Sequence, residues 1–240
     1  MSGEFVAGGR TVAAERGWDW IAAGWALFKK DPGVWIALIV VMLLIYIVLT
    51  LIPLLGSLAS LILGPAFGAG LVAGARAQDD GGALRVSHLF AGFRDKLGPL
   101  VVVGILYLVA SVAIALVVGV SSGVGLFSMF DGTTPASLPP GAIFTLLIAL
   151  LIMAGLMVPV MMAVWFAPAL VMFDGKDAVA AMKESFSGCL RNIVPFLIYG
   201  VVLLVFSVLA SIPFGLGWLV LGPVLAASVY TSYKDIFTAA

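Results

Sequence analysis

Hydrophobic positions in this chain fall into three long blocks separated by short polar segments. The blocks, residues 33–75, 99–173 and 192–233, are mostly apolar and contain no Lys or Arg. Each is long enough to cross a bilayer twice, because about 20 apolar residues span about 30 Å of hydrocarbon. The pattern therefore predicts an all-α fold, a polytopic membrane helical bundle with six transmembrane helices.

Turn residues divide the blocks into individual spans. Pro53 and Pro213 begin two uncharged turns, and residues 121–141 form the longest loop on the same side. Pro159 and Pro168 are expected to break the fourth helix, since proline removes a backbone donor. The predicted spans are residues 34–52, 57–75, 99–120, a long fourth span from 142, 193–212 and 214–230.

Three further segments carry apolar residues at helical spacing, which predicts amphipathic helices. We expect these helices to lie in the headgroup layer of the cytoplasmic face, where indole rings and snorkelling Lys side chains are favoured. Their apolar positions are Trp18, Ile21, Trp25 and Phe28; Val86, Leu89, Phe90, Phe93 and Leu97; and Val179, Met182, Phe186 and Leu190.

Each predicted amphipathic helix precedes two spans, which indicates a repeated unit. Ile52-Pro53 recurs as Ile212-Pro213, and Gly64-Pro65 recurs as Gly222-Pro223. All units enter and leave on one side, so the repeats are parallel and support transport only weakly. The expected organisation is a flexible N-terminal segment (1–14) and a single membrane domain (15–240) of three helix-plus-hairpin units (15–77, 84–173 and 176–237).

The distribution of charge predicts the orientation. All twelve Lys and Arg residues lie outside the apolar blocks, together with eleven of the twelve acidic residues; Asp131 is the exception. Short basic loops stay in the cytoplasm, so both termini are predicted to be cytoplasmic. A balanced cytoplasmic face argues against nucleic acid as a partner. At 63% hydrophobic and 10% charged residues, the chain is not a soluble domain.

The sequence offers little chemistry. None of the six predicted span cores contains Asp, Glu, Lys, Arg or His, which argues against an ion-coupled transporter or a proton pump. His88 and Cys189 are each the sole residue of their type, so a multi-histidine metal site is excluded and Cys189 is expected to be a packing residue. We therefore predict no catalytic residue, metal ligand or cofactor, and no enzymatic activity.

Two kinds of candidate site remain. Basic residues at the predicted interface could contact anionic lipid headgroups, and Gly-Pro pairs within spans could bend or closely pack helices. The candidate headgroup contacts are Lys29, Lys30, Arg94 and Lys96. The candidate bending or packing residues are Gly64, Pro65, Gly222 and Pro223.

Several segments resemble an uncharacterised family of Gram-negative inner-membrane proteins with six spans. The similarity lies in residues 17–21 and 27–32, 89–94, 165–170 and 181–186, and 222–236. The resemblance implies an inner-membrane location and a six-helix fold, but no catalytic residues. More loosely, the helix-plus-hairpin units are similar to the membrane domain of some glycerophosphodiester phosphodiesterases, whose catalytic domain has no counterpart here.

Three functional hypotheses follow from these observations. The first is a non-catalytic integral inner-membrane protein that acts as an interaction or organising partner for membrane lipids, for another membrane protein or for itself. The alternative is a passive carrier or channel for a small apolar or zwitterionic molecule such as a lipid. A membrane-embedded enzyme is the third, and it would require facing polar groups in a cleft.

Overall fold

The computed structural model describes residues 4–121 and 141–239, which form helices joined by short connections. A 3-10 helix, Val86–Phe90, precedes α4. The α-helices of the described residues are α1 (Arg16–Lys30), α2 (Pro32–Thr50), α3 (Leu55–Asp79), α4 (Ala91–Asp95), α5 (Leu97–Ser121), α6 (Ala142–Trp165), α7 (Ala167–Asp174), α8 (Ala178–Arg191), α9 (Ile193–Ser211) and α10 (Trp218–Phe237). The predicted all-helical class is confirmed for this part of the chain.

Local capping chemistry explains several helix boundaries. The Asp31 side chain accepts a hydrogen bond from the Val34 N–H at 3.3 Å, and Pro32 occupies the first turn of α2. The Asp177 side chain caps α8 by accepting from the Ala180 N–H at 2.9 Å. These acceptors satisfy donors that a helix N-terminus leaves unpaired. Helix α7 ends at Asp174 and is followed by Gly175, whose φ of 63° favours glycine.

Five helices of the described residues are long and apolar enough to cross a membrane. They are Pro32–Thr50, Leu55–Asp79, Leu97–Val120, Phe144–Asp174 and Ile193–Ser211. The sixth predicted span corresponds to α10, which is not one of these five. Its last turns contain Tyr230, Tyr233, Lys234 and Asp235, and these lower its mean hydropathy. The membrane-helix class is therefore established, and the sixth crossing stays a prediction.

The hydrophobic core is concentrated at one end of the bundle. This end, which we call the basic end, contains residues 4–31, 76–97, 174–192 and 234–239 together with the adjoining helix turns. Trp20, Trp35, Phe166 and Phe237 are fully buried there. Helix α1 packs along α10 and against α9, and α3 contacts α2, α5 and α7. Contacts between these helices bring the connections that carry Lys and Arg together.

We call the opposite end, which contains the turns at Pro53 and Pro213 and the adjoining halves of the helices, the far end. Many of its apolar side chains are exposed. Leu51, Val120, Leu151 and Ile212 are each more than two-thirds exposed. The far halves of α2 and α9 have exposed apolar residues through successive turns. An apolar surface of this extent is suited to contact with lipid or another apolar surface.

The two short far-end turns share an unusual backbone. Leu54 follows Pro53 with a φ of 61°, and Phe214 follows Pro213 with a φ of 54°. Positive φ is rare for residues with bulky side chains. The same conformation thus recurs at the two turns that the sequence pairs as equivalent, and the repeat of the first and third units stays a prediction.

Two segments differ from their predicted structure. Where the sequence predicts one amphipathic helix over residues 86–97, the chain forms the 3-10 helix and the short α4, which ends at Asp95. The predicted break at Pro159 is absent, since Pro159 lies within α6, whereas the predicted break near Pro168 is present: the helix is interrupted at Phe166, and Pro168 lies in the first turn of α7. Most of the predicted long loop, residues 122–140 with Asp131, lies outside the described residues.

Candidate functional site

Asp235 is the centre of a polar cluster at the basic end. Its side chain is 7% exposed and accepts hydrogen bonds from Arg16 Nε at 2.7 Å, Arg10 Nη2 at 2.8 Å and Trp20 Nε1 at 2.9 Å. Burial alone would raise the pKa of this carboxyl, but the donors from Arg16, Trp20 and Arg10 outweigh it and lower the pKa. The cluster joins the segment before α1, helix α1 and the last turns of α10.

Asn192 attaches the N-terminal segment to the helices. Its fully buried side chain accepts from the Val12 N–H at 2.9 Å and donates to the carbonyl oxygens of Arg10 at 2.9 Å and Gly188 at 2.8 Å. Arg191 donates to the Gly9 carbonyl at 3.0 Å. Because the buried amide group of Asn192 both accepts a hydrogen bond from the N-terminal segment and donates one to it, the segment is held in one position.

The N-terminal segment also pairs with the C-terminus. Phe5 and Thr238 form an isolated antiparallel bridge, and the Val6 N–H donates to the Phe237 carbonyl at 2.9 Å. Residues 4–12 therefore differ from the flexible segment predicted for residues 1–14. Their small, polar sequence gave no periodic signal, because their partners are distant in the chain and the contacts involve backbone groups.

A second polar cluster joins α3, α7 and α10. Asp79 Oδ2 accepts from Lys234 Nζ at 2.6 Å and from the Tyr230 hydroxyl at 2.9 Å. The Tyr233 hydroxyl donates to Asp174 Oδ2 at 2.6 Å. Two carboxylates at the ends of predicted spans are thus held by donors of α10. The arrangement ties helix ends together and leaves both acids hydrogen-bonded.

Trp35 and Gln78 form a third connection, between α2 and α3. The buried Trp35 Nε1 donates to Gln78 Oε1 at 3.1 Å, and Gln78 is itself 5% exposed. Lys30 Nζ lies 3.4 Å from the Gln78 carbonyl oxygen. This pair satisfies two polar groups inside the core, where an unpaired group would be costly.

The four predicted headgroup residues lie in two separate places. Lys29 and Lys30 are exposed in the last turn of α1. Arg94, in α4, pairs with Asp95 at 2.9 Å, and Lys96 lies at the junction of α4 and α5. Among the described residues, Lys29 has no carboxylate within ion-pair distance.

The predicted bending and packing residues have different surroundings. Helix α3 continues through buried Pro65, and α10 continues through buried Pro223. A Cβ at Gly64 would meet only the Tyr46 hydroxyl at 3.8 Å, and one at Gly222 would meet Ile39 at 3.7 Å. Both distances are ordinary van der Waals contacts, so neither glycine is required by a close helix approach.

Close helix approaches occur at other glycines. A Cβ at Gly17 would lie 2.2 Å from the Pro195 carbonyl oxygen, and one at Gly24 would lie 2.7 Å from that of Val224. A Cβ at Gly70 would lie 2.2 Å from the Leu89 carbonyl oxygen. These glycines let α1 approach α9 and α10, and let α3 approach the 3-10 helix. Close approaches thus occur beside the Gly-Pro pairs, at the carbonyl oxygens of Ala66 and Val224, although the glycines that permit them lie on the neighbouring elements.

The large apolar residues of the predicted amphipathic helices mostly face outward. On α8, Val179 and Leu190 are about half exposed, whereas Ala181 and Gly188 face the protein. On α1, Trp18 and Trp25 are exposed. The buried face of α8 is made of small residues, whereas that of α1 also contains Ile21 and Phe28, two residues of its predicted apolar stripe. An outward apolar stripe beside Lys residues is the arrangement that a headgroup layer favours.

Sequence reasoning missed the residues that hold the basic end together. Trp20 was not assigned to a helix face, yet its ring is 1% exposed and its N–H binds Asp235. Asn192, the first residue of the third apolar block, and Asp235, which follows that block, were not among the candidate residues. One signal was present in the sequence. Each of the two residues has a polar side chain next to an apolar segment, and a polar side chain that becomes buried there needs a hydrogen-bond partner.

Single histidine and cysteine residues have local roles. His88 Nδ1 accepts from the Arg85 N–H at 3.1 Å, and burial together with the charges of Arg85 and Arg94 lowers its pKa. Burial raises the pKa of the Cys189 thiol to about 12, so the thiol is protonated at neutral pH. Within the described ranges, no three His, Cys, Asp or Glu side chains are grouped so as to hold a metal ion.

Three apolar cavities open along the described helices. The first, about 760 Å³, lies between α1, α9 and α10 and includes Trp18, Trp25 and Lys29 in its lining. The second, about 420 Å³, lies between α6, α8 and α9. The third, about 330 Å³, lies between α3, α5, α6 and α7 and is lined in part by Gly64 and Pro65.

The chain is similar over most of its length to one curated protein. The two sequences are 32% identical over 226 residues, which is 91% of this chain and 82% of the relative, named as a probable inner membrane protein of Burkholderia thailandensis. No protein-family model matches the chain. No solved structure shows a significant match to it.

Proposed function

The chain belongs to the family of a probable inner membrane protein of Burkholderia thailandensis, and we propose that it is a non-catalytic partner protein in the inner membrane. It acts by holding another membrane protein, or lipid, against its apolar far end. The observation that carries this proposal is the contrast between the two ends. The basic end is cross-linked by the Asp235, Asp79 and Asn192 hydrogen bonds, while apolar faces at the far end are uncovered.

The contrast gives the two ends different roles. Polar side chains at the basic end form hydrogen bonds with one another, and these bonds fix the helices relative to each other. At the far end, Leu204 and Val208 of α9 and Leu44 and Val48 of α2 are at least half exposed. A rigid base with uncovered apolar helices presents a surface that another transmembrane helix can contact.

The proposal includes six crossings with both termini in the cytoplasm. Contacts of Phe5 with Thr238 and of Arg10 with Asp235 support an even number of crossings, since they join the two termini. The basic connections at the same end support its cytoplasmic location. The exposed Trp18 and Trp25 of α1, and the exposed Val179 and Leu190 of α8, support contact with the headgroup layer.

Site-specific photocrosslinking in cells tests the partner role. A photoreactive residue replaces Leu204 or Val208 on the exposed face of α9, and Ala83 in the basic connection serves as the control position. We expect one discrete protein adduct from the two α9 positions and not from Ala83. The absence of a protein adduct at α9, together with a lipid-free monomer and no co-purifying protein after extraction in mild detergent, would contradict the proposal.

A passive carrier of small apolar or zwitterionic molecules is the second candidate. It is supported by the open cavity of about 330 Å³ at Gly64 and Pro65, which lies between four helices and is lined in part by the hydroxyl-bearing Ser60 and Tyr107. Liposomes that contain the purified protein would then equilibrate a fluorescent phospholipid across the bilayer faster than empty liposomes. Equal rates would exclude this candidate for phospholipids.

A further inference from the structure

The largest of the three apolar cavities is a groove below helix α1. Trp18, Ala22 and Trp25 of α1 form its upper edge, and the walls come from α9 and α10, including Phe206 and Val220. Its volume is about 760 Å³. Leu209 and Val220 are 53% and 37% exposed, so the groove opens sideways toward the bilayer.

A single cation lines this groove. Lys29 is in the last turn of α1 and is exposed at the edge of the groove. In the described part of the chain no carboxylate pairs with it. By contrast, Arg10 and Arg16 pair with Asp235, and Lys234 pairs with Asp79. Lys29 thus leaves a positive charge available beside an otherwise apolar cavity.

The combination of shape and charge specifies an amphiphilic occupant. An apolar groove that is open to the bilayer accepts an acyl chain, and an ammonium at its interfacial edge complements a phosphate. Trp18 and Trp25 flank the entrance, where indole rings are favoured between headgroup and chain. A transmembrane helix of a partner would leave the charge of Lys29 without a complement.

We propose that this groove binds one anionic phospholipid of the cytoplasmic leaflet. Its phosphate pairs with Lys29, and one acyl chain lies between α9 and α10 beneath Trp18 and Trp25. Leu204 and Val208 of the proposed partner contact do not line the groove, so either proposal can fail without the other. Bound lipid here would also hold α1 against the bundle.

Native mass spectrometry of the purified full-length protein tests the charge requirement. Phosphatidylglycerol and phosphatidylcholine are titrated in parallel, and the variants are Lys29→Gln and, as control, Lys183→Gln on α8. We expect the wild type and the control to retain one phosphatidylglycerol in preference to phosphatidylcholine. Lys29→Gln should weaken phosphatidylglycerol retention about fivefold, as expected for one Lys at an anionic surface. Equal retention of both lipids by the wild type, or unchanged retention by Lys29→Gln, would overturn the proposal.

A second pair of variants tests the groove itself. Ala22 lines the groove and is exposed, whereas Ala23 is exposed and does not line it. Ala22→Trp should fill the cavity and abolish retention of phosphatidylglycerol, while Ala23→Trp should retain it. Thermal unfolding in detergent checks that both variants are folded. Normal retention by a folded Ala22→Trp, or a polypeptide in place of lipid in the wild-type complex, would also overturn the proposal.

Discussion

At the scale of single residues, Asp235 joins several segments of the protein, although no motif in the sequence indicates this role. Two Arg side chains and one Trp bind its carboxylate, and the three come from the N-terminal segment and α1. Removing one partner of a nearly buried ion pair leaves the others uncompensated, which is costly. Asp235 is therefore the residue whose loss should most weaken the basic end.

Asp235→Asn should lower the free energy of unfolding by about 1–3 kcal/mol, because two cations lose a carboxylate in a partly buried site. The control is Asp19→Asn, which removes the exposed 3.3 Å pair with Arg16 and should cost less than about 1 kcal/mol. Thermal unfolding in detergent compares the two variants. If both variants lost less than about 1 kcal/mol of stability, the Asp235 cluster would contribute little to the stability of the protein.

The Asp235 cluster also predicts a dependence of stability on pH. The pKa of Asp235 is lowered below its usual value of 3.8 in the folded protein, so the folded state favours the charged carboxylate. The stability it contributes is present at neutral pH and is lost as the pH falls below that usual value through the lowered pKa. Unfolding midpoints between pH 7 and pH 3 should therefore fall less steeply for Asp235→Asn than for the wild type. Parallel curves would contradict this.

Cys189 provides a check on packing at the basic end. Its thiol is buried, and its pKa is raised to about 12. Because thiolate is the reactive form, maleimide at pH 7 should leave the native protein unlabelled and label it fully after denaturation in dodecyl sulfate. Rapid labelling of the native protein would mean that α8 does not pack closely against α6.

At the scale of elements, periodicity predicts helices well and their buried faces less well. The apolar stripe Val179, Phe186 and Leu190 correctly marks α8 as a helix, yet this stripe is partly exposed and the small residues on another face are buried. In a bilayer both the interior and the surroundings are apolar, so hydrophobicity cannot distinguish them. Small residues that permit close approach carry the better signal.

Helix α1 gives the clearest test of close approach. Gly17→Ala would place a methyl group 2.2 Å from the Pro195 carbonyl oxygen, and such overpacking typically costs about 1–3 kcal/mol. Gly33→Ala in α2 meets nothing within 4 Å and should be neutral or stabilising by less than about 1 kcal/mol. Their thermal midpoints should differ clearly, and equal midpoints would contradict the position of α1 against α9.

At the scale of the whole molecule, the sequence predicts class and membrane location from block lengths and hydropathy. It does not predict that the chain termini pair with each other. Arg10 and Asp235 are 225 positions apart, and no local pattern couples them. The hydrogen bonds of Asn192 and Gln78 are equally non-local. Periodicity reports on neighbours within a helix, whereas these contacts depend on how the helices are arranged.

The polar contacts are concentrated at one end of the molecule, so its two ends differ and can be assigned to different sides of the membrane. The connections that contain Lys and Arg converge with both termini, while Pro53 and Pro213 begin turns at the far end. If the far end is periplasmic, every cation stays in the cytoplasm, as charge distribution requires. The account therefore depends on which side of the membrane each end faces.

Cysteine labelling in intact spheroplasts tests this orientation most directly. In a Cys189→Ala background, single cysteines replace exposed Ser57 near the far-end turn and exposed Ala83 in the basic connection. A membrane-impermeant maleimide should label Ser57→Cys in intact spheroplasts and Ala83→Cys only after lysis. Labelling of Ala83→Cys in intact spheroplasts would contradict the orientation and the partner and lipid sites derived from it.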